Sequence, residues 1–364
     1  MTLSGRLDDT AINQSIVCPL CPLHCDDVRL GETGDLIADH CPIVDEFNAP
    51  SSASDRESAT LDSADSRSED HGKRWRLVTT GVDLATARQL SDWQRDGQID
   101  LTIESDASIQ AILEVISRDG IVSATIADVA THADLIWTFG RVDEAWPRLM
   151  QKICQGPRGD ANDNVCRFGE CSADSLSQFA AATRPDSGSV SNVSAEIFGP
   201  AGQIDRWNSS KYAAILVGPG AFAPGEESIS AAMLCRLVRL RNADSRCVLV
   251  TLDSAATLRS VCLWKTNESP SSIAPDNTDV TFDIRLGSPL NRDSCPSTLQ
   301  IGGIDPGPKL AHAYRSSSTA GLHRRGMTIR GDGSVSLPLA APMTCERPAP
   351  CEIIRGLISP LSPS

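Results

Sequence analysis

Apolar and polar positions divide the chain into stretches of different texture. WRLVTTGV (75–82) is a short apolar run of the kind a buried strand needs, and residues 83–95 after it have helical spacing. GIVSATIADVATHADLIWTFG (120–140) predicts a short helix followed by an apolar strand over 133–139 that stops at Gly140. The pattern restarts at KYAAILVGPG (211–220), a strand running into a Gly-Pro-Gly turn. SISAAMLCRLVRLR (228–241) is an amphipathic helix, with CVLVTL (247–252) and TFDIRLG (281–287) as further strands. Near the end, RRGMTIRGDGSVSLPL (324–339) predicts a β-hairpin turning at Gly331-Asp332-Gly333.

Strands alternating with helices imply parallel βαβ units. The expected fold class is α/β: two parallel-sheet βαβ units with a small N-terminal Cys-rich module and a C-terminal β-hairpin. The divisions read from texture are a cysteine module at 1–47, a linker at 48–74, α/β units at 75–192 and 193–292, and a strand, hairpin and tail at 293–364. The linker is dominated by Ser, Asp, Glu and Ala and has Leu61 as its one large aliphatic. Such a segment buries too little surface to offset its ordering entropy and is expected to be disordered. The polar stretch 156–192 reads as a looser loop carrying Cys166 and Cys171.

Composition narrows the class. With 364 residues, 40% of them hydrophobic, the chain has material for two or three globular cores. No apolar run approaches the ~18–20 residues of a membrane span, and the opening MTLSGRLDDTAINQS has no basic-then-apolar layout of a secretory signal. A cytoplasmic location without membrane contact is therefore expected, with reduced cysteines. The net charge of −14 and the absence of a Lys/Arg cluster beyond pairs such as Arg324–Arg325 argue against nucleic acid as a partner.

Candidate chemistry concentrates in CPLCPLHCDDV. Cys18, Cys21 and Cys25 stand at C-x2-C-x3-C spacing, and Cys41 follows after fifteen residues, so four of thirteen cysteines fall within 24 residues. Three thiols around one small volume, closed by a fourth from a later loop, make a four-thiolate metal site: a 4Fe-4S cluster or tetrahedral zinc. The x3 spacing favours the cluster. His24 and His40 each precede a cysteine and could substitute in a zinc site. Elsewhere, Cys235 and Cys247 read as small core residues, Cys166 and Cys171 as candidates to assist a second metal, and Trp264 as packing or a cofactor contact, packing being favoured. Gly218-Pro219-Gly220 reads as a tight connection rather than a phosphate turn, since proline lacks an N–H. Arg324, Arg325 and Arg330 could hold an anionic cofactor tail or form a solvated, partner-facing surface. No nucleophile elbow, P-loop or zincin signature occurs.

The segment CPLCPLHCDDVRL…GDLIADHC resembles the start of the B-type subunit of formylmethanofuran dehydrogenase, within the molybdopterin/tungstopterin oxidoreductases, and Asp26-Asp27 sharpens the likeness. Asp134, Gly140, Pro147 and Arg148 in GIVSATIADVATHADLIWTFGRVDEAWPRLM, then KYAAILVGPG, LWKTNESP (263–270), LQIGGIDPGP (299–308) and GLHRRGMTIRGDGSVSLPL (321–339), follow in family-like order. The resemblance implies that catalytic members hold the metal of a pterin cofactor through one Cys or selenocysteine, at the place occupied here by Asp106 to Ser108. This chain has no cysteine between Cys41 and Cys154, and a carboxylate or hydroxyl does not replace a soft thiolate without changing the metal's electronics. The residue after the fourth cysteine, often basic in such enzymes, is Pro42.

The chain is thus most similar to the truncated B-type subunit of the bacterial formyltransferase/hydrolase complex of tetrahydromethanopterin-linked one-carbon metabolism. That resemblance implies a non-catalytic assembly subunit, the other subunits of the complex as partners, and loss of the Mo/W-bis-pterin. Two alternatives stay open at this point: an active pterin-dependent oxidoreductase subunit with an unusual metal ligand, and a free-standing iron–sulfur electron-transfer protein.

Overall fold

A computed structural model describes residues 15–49, 74–155, 162–183, 202–274, 280–290 and 294–358. In chain order the first strands are β1 (Ser15–Ile16), β2 (Val28–Leu30), β3 (Leu36–Ile37), β4 (Trp75–Thr79) and β5 (Ile99–Glu104). Next come β6 (Leu135–Phe139), β7 (Val165–Phe168), β8 (Tyr212–Val217) and β9 (Arg246–Thr251). The series closes with β10 (Ser271–Ile273), β11 (Phe282–Leu286), β12 (Ser297–Ile301), β13 (Ala311–Arg315), β14 (Gly326–Ile329) and β15 (Ser336–Leu339).

These strands fall into two compact units, one formed by Met1–Ser105 with Asp253–Ser364 and the other by Asp106–Leu252. The first holds a six-stranded sheet in the order β10-β5-β4-β11-β12-β13, parallel throughout. It also holds the antiparallel sheet β1-β2-β3 and the hairpin β14-β15. The second is a four-stranded parallel sheet, β7-β6-β8-β9. The expected class, parallel βαβ units with a Cys-rich module and a hairpin, is what the chain adopts.

Strands β6 and β8 are buried along their whole length, which is why they read as unbroken apolar runs without alternation: helices cover both faces of a parallel sheet. In the second unit, Trp137 on β6 packs against Trp207, with ring centroids 4.6 Å apart, and edge-on to Phe168 and Phe179. Each such fully buried aromatic or aliphatic side chain contributes roughly 1.5–3 kcal/mol. In the first unit, Asp83 caps the helix Leu84–Arg95 by accepting from Ala85 N and Thr86 N. That helix buries Leu90 and Trp93 against Leu77, Leu101 and Ile284 of the sheet.

The sequential division at 192/193 differs from this grouping. β4 and β5 join β10–β13 rather than β6 and β7, and β6 and β7 share a sheet with β8 and β9. Local periodicity marks a strand but not its partner, and parallel pairing is made across long separations. The stretch 156–192 also holds more structure than a loop, with β7 and the helix Ala173–Ala182 capped by Ser172. The linker expected at 48–74 lies, from 50 to 73, outside the described residues. No helix among the described residues is long and apolar enough to cross a membrane.

Candidate functional site

The first three cysteines occupy the loop between β1 and β2, where the Cys18 N–H donates to the Cys25 carbonyl at 2.7 Å and the His24 N–H to that of Cys21 at 3.1 Å. Cys41 follows β3 and sets the start of the helix Pro42–Asn48. Pro42, at the first helical position, gives up an N–H that would have no helical partner. His24 and His40, each immediately before a cysteine, take left-handed backbone angles, φ 47° and 54°. Around the cysteines in sequence, Ile16, Leu23, Val28, Leu30, Leu36 and Val44 are all buried.

Cys18, Cys25 and Cys41 are buried, and Cys21 is half-buried. Burial pushes the Cys18 thiol up to about 12; the Leu20 backbone opposes this, and the charges of Cys21, Cys25 and Cys41 add to it. Cys21 is likewise pushed up to about 12, by burial first and also by the charges of Cys25 and Cys41. Among the described residues, however, no group of three or more His, Cys, Asp or Glu side chains stands at the geometry that holds a metal ion. The donor set, three soft thiols in the loop after β1 and a fourth after β3, fits iron–sulfur or zinc in its chemistry; a metal entering it would displace thiol protons.

His24 does not stand free to substitute as a ligand. Its Nδ1 lies 2.9 Å from the Cys18 carbonyl and its Nε2 3.2 Å from Thr328 Oγ1. Sequence spacing could not reveal this role, because Thr328 lies 304 residues away.

The place where the family resemblance puts a metal-holding thiolate is occupied by a backbone brace. Asp106 caps the helix Ala107–Asp119, accepting from Ser108 N at 2.9 Å and Ile109 N at 3.3 Å. The same carboxylate accepts from Gly220 N at 3.2 Å, and Ser108 Oγ accepts from Phe222 N at 3.0 Å. Asp106 is thus committed to the Gly218-Pro219-Gly220 turn, which acts as a connection, and Ser108 to Phe222 just after it, and neither fits the ligand of a pterin-bound metal. In the first unit, Glu104 at the end of β5 and Arg285 on β11 form a fully buried ion pair with contacts of 2.8 and 3.1 Å. Nothing in the sequence marks this pair, since an isolated Glu and an isolated Arg carry no spacing signal.

The remaining candidates separate clearly. Trp264 is 70% exposed, so it does not pack in this chain. A tryptophan in a helix defaults to core by hydrophobicity, but this one lies near the C-terminal end of the helix Ala256–Thr266, beyond its buried face. Cys235 and Cys247 are core residues as expected, and Cys166 and Cys171 are buried too. Cys166 Sγ contacts Gln203 Oε1 and Arg206 Nη1, and Cys171 Sγ the Ala221 carbonyl. A shallow open depression of about 480 Å³ in the second unit is lined by Asp128, His132, Asp134, Lys211, Tyr212 and Arg246. Its groups are used in joining strand starts: Tyr212 donates its hydroxyl to Asp128, and Asp134 accepts from Lys211 N and Tyr212 N.

Arg330 is paired with Asp332, and Arg325 is exposed. Arg324 is paired with Asp83, whose carboxylate also accepts from the Thr86 hydroxyl at 2.6 Å. Burial alone would raise the Asp83 pKa, but Arg324 and Thr86 together hold it below the ordinary carboxylate value. A folded-state pKa lowered in this way contributes stability that is present above about pH 4 and is lost as pH falls through the folded value. Asp83→Asn is expected to be less stable than the wild type at neutral pH and to decline more shallowly in acid. Urea titrations at about pH 7, 4 and 2.5 measure this; parallel declines would refute it.

Fold and site together define an α/β protein of parallel sheets with a four-thiol module. No protein-family model matches the sequence, and no curated protein matches it. Among solved structures, the chain is similar to a chain in the X-ray crystal structure of the formyltransferase/hydrolase complex (FhcABCD) from Methylorubrum extorquens in complex with methylofuran. The TM-score is 0.58 at 16% identity, covering 84% of this chain and 96% of that one. At that identity the likeness is one of fold.

Proposed function

We propose that this chain is the B-type subunit of a formyltransferase/hydrolase complex in tetrahydromethanopterin-linked one-carbon metabolism, serving assembly rather than catalysis. The observation that carries the reading is the fold likeness to a chain of such a complex, which extends over 96% of that chain. The order of sequence motifs supports it independently, and the commitment of Asp106 and Ser108 to backbone N–H groups supports the non-catalytic part. In this reading Cys18, Cys21, Cys25 and Cys41 hold a 4Fe-4S cluster or zinc; a cluster would supply one-electron transfer, zinc only rigidity. The chain's own contribution is a docking body whose strand-end positions are filled by side-chain pairs.

Isolating the native complex anaerobically, identifying its subunits and measuring iron, zinc, tungsten and molybdenum tests this. Co-isolation with formyltransferase and hydrolase subunits, with tungsten and molybdenum below stoichiometry, is expected. Stoichiometric tungsten or molybdenum on this subunit would overturn the non-catalytic reading, and isolation as a lone chain would overturn the assembly reading.

A further inference from the structure

The cysteine loop rests on a segment from the far end of the chain. Thr328 on β14 meets the His24 ring, and the Gly331 N–H, in the hairpin turn, donates to the Pro22 carbonyl at 2.8 Å. Pro19 packs on Gly321 so closely that a Cβ there would lie 3.1 Å from the proline Cβ. Met343 reaches Gly34, 3.7 Å from where a Cβ would stand.

The hydrogen bonds have a direction. A carbonyl only accepts, so His24 Nδ1 carries the proton and donates it to Cys18 O. In the neutral ring Nε2 then accepts, so Thr328 donates its hydroxyl to His24. Thr257 Oγ1 accepts from Ile329 N at 2.8 Å and stands 3.1 Å from Thr328 Oγ1, to which it can donate. One chain of bonds therefore runs from the hairpin backbone through Thr257, Thr328 and His24 to the backbone of the first cysteine.

We propose that Thr328 and His24 are positioning residues for a metal at Cys18, Cys21, Cys25 and Cys41, coupling its retention to the order of the β14-β15 hairpin. This rests on the metal-holding reading above. His24 sits between Cys21 and Cys25 with φ 47°, a backbone angle that a non-glycine residue keeps only when its surroundings hold it. Freeing its ring from Thr328 releases both the Cys18 carbonyl and the direction in which Cys25 leaves the turn. Outer-shell partners of this kind change metal affinity by about 10–100-fold when removed, and the coupling is reciprocal, since whatever binds the ordered loop stabilises its seat.

The test uses the full-length chain with Zn(II) as probe, competed by a chromogenic chelator. Thr328→Val, which keeps the volume and removes the hydroxyl, is expected to weaken zinc retention by about 10–100-fold, while Thr328→Ser retains it as the wild type does. In unmodified protein, stripping the metal is expected to speed amide exchange at Thr328 and Ile329 and leave that of β8 unchanged. This second measurement decides the matter even if the valine variant fails to fold. Wild-type zinc binding with equal retention in the valine variant, or hairpin exchange indifferent to metal, overturns the coupling alone. A wild-type chain that takes up neither zinc nor iron overturns the metal reading and the coupling with it.

Discussion

Replacing Glu104 with alanine is expected to lower stability by about 3–5 kcal/mol, a larger effect than any other substitution named for this chain. Glu104 and Arg285 are both wholly shielded from water. Arg285 also donates to the Cys295 carbonyl at 2.6 Å, and Glu104 accepts from Leu290 N at 3.0 Å. Alanine leaves the guanidinium buried without its counter-charge and strands the Leu290 N–H, and an unpaired interior charge costs far more than the pair itself contributes. The double replacement Glu104→Met with Arg285→Met is therefore expected to recover most of the loss. Urea unfolding followed by tryptophan fluorescence measures both; a single-variant loss below about 1 kcal/mol would show that water or rearrangement rescues the arginine. The pair lies at the C-terminal ends of β5 and β11, the edge where open α/β sheets ordinarily hold ligands.

The second large effect is expected at Gly140, which ends β6 with φ 75°. A Cβ at this position would stand 2.5 Å from the Pro219 carbonyl oxygen and 2.8 Å from Ala221 N. Both are backbone atoms of the connection after β8, so neither can rotate away. Left-handed backbone costs a non-glycine residue about 1–2 kcal/mol, and forced overpacking about 1–3 more. Gly140→Ala should accordingly lose about 3 kcal/mol and loosen the turn that Asp106 braces, read as faster amide exchange at Gly220. Wild-type unfolding and exchange would show that the connection after β8 can yield.

What could be read from the residues, and what could not, follows from range. β6, β8 and β9 were legible because burial on both faces writes an unbroken apolar run into contiguous sequence. The helix Glu227–Arg241 was legible because its apolar positions recur at helical spacing. The four cysteines stand out as a group in the sequence itself, since Cys18, Cys21, Cys25 and Cys41 lie close along the chain. β7 was not, because a short strand amid polar neighbours carries little apolar signal: Val165-Cys166-Arg167-Phe168 has only one fully buried position. Nor was the regrouping of β4 and β5: β4 pairs with β11 about two hundred residues later, the Arg76 N–H donating to Asp283 across 207 positions. The seat of the cysteine loop escaped for the same reason, His24 and Thr328 being ordinary residues until the fold brings them together.

The separation between the cysteine loop and its seat also sets an order of events at the ribosome. The cysteines emerge early, but Thr328 follows 304 residues behind His24. At about 5–20 residues per second, the loop waits roughly 15–60 s for the strand it rests on. During that interval the second unit, whose four strands are contiguous in sequence, can complete its core, while four thiols remain without their finished support. A nascent chain of this design holds these thiols most open to oxidation before the strand carrying Thr328 arrives, so the time to guard them is during synthesis rather than after it.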